Sequence, residues 1–127
     1  MMRILLVFML AGFVAVSSSN VGAQSCDKMP ADKIGEIQQG RLVQRTIGGE
    51  RVYLLQVPTP VCLTGRDPED NVRGTKTIQV YSSNAAVSRS IHRFVGKDVQ
   101  VTGRAFGAVT QHHKAPIVMD LSDIDEI

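Results

Sequence analysis

Beyond residue 33 the chain alternates apolar and polar positions in short runs, a spacing that belongs to strands rather than helices. Ile34 to Thr46 reads as a first strand, with Gly40 in its middle where a strand bends or bulges. Gly48-Gly49 is a two-residue hairpin signal, because both positions tolerate positive φ. Arg51 to Val57 returns as a second strand, and Pro58 and Pro60 are expected to end it. Thr64 to Thr75 is polar and turn-rich and reads as an exposed loop that carries Asp67, Glu69 and Asp70. Thr77 to Tyr81 is a third strand, with Ile78 and Val80 sharing one face.

A helix follows. Ser83 or Asn84 is its expected cap, and Val87, Ile91, Phe94 and Val95 share its apolar face. Gly96 stands where a helix C-terminal glycine belongs. Asp98 to Val109 is a fourth strand broken at Gly103, and Pro116 to Leu121 is a fifth, ahead of an acidic tail. The order β-β-β-α-β-β over residues 34–127 predicts an all-β domain with one helix, a five-stranded OB-like Greek-key barrel plugged at one end by the helix. An open α+β sandwich uses the same elements and is the alternative.

The first residues change the picture from fold to location. Arg3, the apolar run from Ile4 to Val16 and the small residues Val21-Gly22-Ala23 read as a signal peptide over residues 1–23. The run is shorter than the roughly 20 residues a membrane span needs. A polar arm over residues 24–33 then leads into the barrel, and the product is expected in the periplasm or outside a bacterial cell. Export in turn bears on Cys26 and Cys62, the two cysteines of the chain. An oxidising compartment favours their pairing, which would stabilise the domain by about 3–4 kcal/mol. Lipidation of Cys26 is the competing reading, disfavoured by Gln24 before it and by the partnerless Cys62 it would leave.

The run Gly96-Lys97-x-Val99-x-Val101-x-Gly103-x-x-Phe106, followed by Thr110-x-His112-His113-x-x-Pro116-Ile117-Val118, resembles a family of exported bacterial proteins classed as a domain of unknown function. Gly40 to Val43, Tyr53 to Leu55 and Pro60 to Leu63 look like further landmarks of that family. The resemblance implies an exported OB-like domain and carries no activity with it.

The candidate chemistry is sparse. His112-His113 suggests a metal-binding turn, since neutral imidazoles suit zinc, copper or nickel. Neighbours in an extended chain point to opposite sides, so a third ligand such as Asp120 or His92 would be needed. The other reading is a turn in which one imidazole bonds backbone and the other meets solvent. No Gly-x-Ser-x-Gly elbow or Ser/His/acid arrangement is present, so no enzyme and no cofactor are expected. A formal net charge of +2, lowered further once Arg3 leaves, argues against nucleic acid.

An OB barrel binds ligands on its second and third strands. Tyr53 and Tyr81, with Arg41 and Arg51 at the rim, are therefore the candidate binding residues, with His112 and His113 second. The expected role is a monomeric, non-catalytic module for a protein, peptide or glycan partner in the cell envelope, inhibitor-like in one variant. The alternative is a metal-binding protein.

Overall fold

A computed structural model describes residues 25–127, so the signal peptide read over residues 1–23, and Gln24, lie outside the described residues. Six strands and one short helix run in chain order: β1 (Asp27–Pro30), β2 (Glu36–Ile47), β3 (Glu50–Thr64), β4 (Val72–Tyr81), α1 (Ala85–Ser90), β5 (Asp98–Gly107) and β6 (Ile117–Glu126). Strands β3, β2, β5, β6 and β4 are neighbours in that order, and β4 returns to β3, closing a five-stranded barrel. All the barrel pairings are antiparallel except β4 with β6. This is the expected Greek-key closure, and the open sandwich is excluded.

Closure rests on β2 serving two partners. Its first half, Glu36–Arg41, pairs β5, and its second half, Arg41–Ile47, pairs β3. Gly40 stands at the exchange, where any Cβ would collide with the backbone carbonyl of Gln56. The hairpin after it turns at Gly48 and Gly49, both at positive φ (58° and 80°), with Ile47 opposite Glu50. A second irregularity lies between Thr102 and Gly103, where the β5–β6 register slips by a residue and the carbonyl of Asp120 fills the place of a Cβ.

The core lines the inside of the barrel. Leu42, Leu55, Ile78, Val99, Val101 and Ile117 are fully buried, each from an inward position of its strand. The helix closes this core as its sequence predicts: Asn84 accepts from the amides of Ala86 and Val87 at 3.0 and 3.1 Å, and Ile91 is buried beyond its last turn. Val87, Phe94 and Val95 pack on the core beside it, and Gly96 ends the segment at φ 84°.

Four expectations need correction. β3 does not end at Pro58 but runs on to Thr64. Between Gln56 and Val61 it has no ladder partner on either side, so neither proline removes a hydrogen bond. The segment expected as an arm contains β1, which pairs in parallel with the far end of β3 and buries Met29 in the core. The acidic tail is the second half of β6, with Ile124 turned inward between exposed Asp123 and Asp125. Asp70 is not exposed: it is 7% accessible, and its carboxylate accepts from the amide of Gly107 at 2.9 Å.

Cys26 and Cys62 form a disulfide with Cα atoms 5.6 Å apart, tying the start of β1 to β3. Replacement of Cys62 by Ala is expected to lower the unfolding free energy by about 2–5 kcal/mol, read by urea denaturation. An unchanged midpoint would show that β1 holds its place without the bond.

Candidate functional site

The two tyrosines proposed as one binding face stand on opposite sides of the barrel wall. Tyr53 lies opposite Val80, shares its inward face and packs half-buried against the core. Tyr81, one residue further along β4, points outward and is 39% exposed. Strand alternation forces this separation, because an odd register offset reverses the face.

The outer face of β3 is itself covered. Val52 and Leu54 alternate with Tyr53 and form a small cluster with Ala115, flanked by Val43 and Ile47. Ala115 belongs to the segment between β5 and β6, which folds back over this wall. Gln79, opposite Leu54 on β4, is buried and holds the segment by its backbone. Its Nε2 donates to the carbonyl of His112 at 3.2 Å, and its Oε1 accepts from the amide of Lys114. Both ends of a buried amide are thereby satisfied, and the face on which OB barrels usually take ligands is occupied by the chain's own loop.

The histidine pair serves that loop. His113 Nδ1 accepts from the amides of Val109 and Thr110 at 3.0 and 3.3 Å, so it carries no proton in this arrangement. His112 Nδ1 meets Glu50 Oε1 at 2.8 Å across the hairpin, in an exposed contact. The two imidazoles thus engage different groups. Asp120 is engaged by Ser83, and among the described residues no group of three or more His, Cys, Asp or Glu is placed to hold a metal ion. Arg41 and Arg51 are both exposed and distant in role: Arg41 pairs with Asp98 at 3.4 Å and donates to the Gly96 carbonyl at 3.0 Å.

The accessible chemistry lies on the outer wall of β4, β6 and β5. Tyr81 meets Phe106 edge-on with ring centroids 6.4 Å apart, and Phe106 meets His113 edge-on at 5.5 Å. Arg104, two residues before Phe106, lies 5.3 Å over that ring and pairs with Asp32 at 2.8 Å. Asp120 stands opposite both Arg104 and Tyr81 in the two ladders. Beside them runs an open groove of about 220 Å³ whose lining includes Arg104, Asp120, Ser83, Asn84 and Ser122, with Gly103 among them.

A larger crevice of about 540 Å³ lies beside β1, but two of its acids already have structural partners, Asp70 in Gly107 and Asp32 in Arg104. Sequence reasoning noted Phe106 and Asp120 separately and missed Arg104 and Gln79. The signal was alternation: Gln79 and Tyr81 interleave with Ile78 and Val80, as Arg104 and Phe106 do with Gly103 and Ala105.

Burial raises the pKa of the Tyr81 phenol, and the nearby Asp120 carboxylate adds to this against a smaller opposing effect of Arg104. Any stability linked to this shift is fully present below the unfolded phenol value of about 10 and is lost as pH rises through the raised folded value. In Tyr53→Phe, which leaves Tyr81 the sole tyrosine, phenolate absorbance is expected to emerge above about pH 10 while the fold persists. Adding Asp120→Asn should move that transition down. A transition at the ordinary value in Tyr53→Phe would contradict the contact.

No curated protein and no solved structure matches this chain. Residues 77–125, from β4 through the helix and the folded-back segment into β6, match the model of a family described as a domain of unknown function (DUF4431), the family that the Gly96–Phe106 and Thr110–Val118 runs resemble.

Proposed function

We propose that the chain is an exported, non-catalytic binding module for a protein, peptide or glycan partner in the cell envelope, and that the partner contacts the Tyr81 wall. The observation that carries this reading is the exposed Tyr81 ring set edge-on against half-buried Phe106, with Arg104 and Asp120 beside it. Aromatic rings held edge-on, with ionic groups at their margin, suit recognition: the rings supply contact area at little entropic cost and the ions supply direction. The signal-peptide pattern supports export, and the disulfide is at home in an oxidising compartment. Among the described residues no helix is long and apolar enough to cross a membrane. Each of the five barrel strands has two neighbours in the closed order, which supports a monomer, since none offers its full length as a free edge to a second copy.

The test is capture from periplasmic extract by the wild-type domain, Tyr81→Ala and Tyr53→Ala, with melting temperatures measured in parallel. Tyr81→Ala should melt as wild type and bind the captured partner more weakly by over ~1 kcal/mol. Tyr53→Ala should lose stability while its folded fraction binds normally. A partner retained at full strength by both Tyr81→Ala and Arg104→Ala would place the contact elsewhere.

A further inference from the structure

We infer that the groove beside Tyr81 is a subsite for one ring of a neutral oligosaccharide, an inference that rests on the binding-module reading and narrows it to a ligand class. Asp120, which lines the groove, stands opposite Tyr81 in the β4–β6 ladder. Tyr81 offers an exposed ring braced by Phe106, the surface on which the C–H face of a pyranose packs. Around it stand groups with hydrogen-bonding capacity left over. The Asp120 carboxylate accepts from the Ser83 amide and hydroxyl at 2.8 and 2.7 Å, and a carboxylate has about four lone-pair sites. Asn84 uses its Oδ1 on the helix cap, which leaves the two N–H donors of its amide. The Ser122 hydroxyl donates to the Thr102 carbonyl at 3.2 Å and keeps its oxygen as an acceptor. Vicinal sugar hydroxyls, each both donor and acceptor, match such a mixed rim.

Charge and size narrow the ligand further. Arg104 is already paired with Asp32, and Asp120 lies beside Arg104, so no uncompensated positive charge invites an anion. A volume of about 220 Å³ is below the roughly 300–1,000 Å³ of pockets that enclose a drug-sized ligand. The open groove therefore fits one ring of a chain lying across the wall. An extended peptide is the less favoured occupant. Peptides commonly bury an anchor side chain in a deep pocket, whereas the groove here is open and shallow.

The full mature domain, disulfide intact, is titrated by ¹⁵N-resolved NMR with three probes: an N-acetylglucosamine tetramer, cellotetraose and maltotetraose. A pool of extended peptides is the comparison. The expected result is saturable binding of at least one saccharide, with shifts centred on Tyr81, Gly103 and Ser122. Tyr81→Ala and Asp120→Asn should each weaken it at least tenfold. Ser122→Trp, which fills the groove from an exposed position and leaves the core untouched, should do the same if either other variant unfolds. No saccharide binding in the millimolar range, or binding indifferent to these substitutions, overturns the inference. If peptides or a captured envelope protein bind this wall in a Tyr81-dependent way while all three saccharides fail, the saccharide assignment falls and the binding-module reading survives. If nothing engages the wall, both fall.

Discussion

The side-chain amide of Gln79 is the contact on which the arrangement of this molecule's surface depends. Buried between the β3–β4 wall and the segment that joins β5 to β6, it donates to the His112 carbonyl and accepts from the Lys114 amide. Neither backbone group has a strand to pair with. The glutamine satisfies both at once and sets Ala115 on Val52 and Leu54. The loop then becomes a second, thin layer outside the barrel, with its own small apolar cluster. His113 holds the turn from within through the Val109 and Thr110 amides.

That layer decides which chemistry the solvent meets. In a barrel of this topology the wall of β3 and β4 is the usual place for a ligand. Here the centre of that wall is covered, and the exposed aromatic and ionic groups are displaced toward β6 and β5. Phe106 links the two regions, since it touches His113 of the covering segment on one side and Tyr81 on the other. The histidine pair, the sharpest motif in the sequence, belongs to the covering layer and its neighbours. Its imidazoles brace a turn and meet Glu50.

Local signals in the sequence were legible where backbone chemistry leaves few choices. Gly48-Gly49, the Asn84 cap and Gly96 each sit at the conformation their residue type favours, and the barrel follows from the order of the strands they punctuate. Long-range features were harder to read. Val52 to Leu55 is apolar on both faces, so alternation does not say that Tyr53 points inward and Leu54 outward. Pro58 and Pro60 look like strand breakers, yet they fall in a stretch where β3 has no ladder to break. Asp70 looks like a loop acid, and its burial depends on the amide of Gly107, 37 positions away. The one local mark of Gln79 is its alternation with core residues, and an amide so placed reads as solvated until the segment over it is known.

Amide hydrogen exchange at Lys114 tests the covering layer most directly. This amide lies in a loop, and among the described residues its one hydrogen-bond partner is the side chain of Gln79. The account predicts exchange slowed well below that of an unstructured chain, with protection lost in Gln79→Leu while the Ile78 and Val80 amides stay protected. Exchange of Lys114 at the unstructured rate in the native protein would contradict it, and would return the β3–β4 wall to the accessible surface.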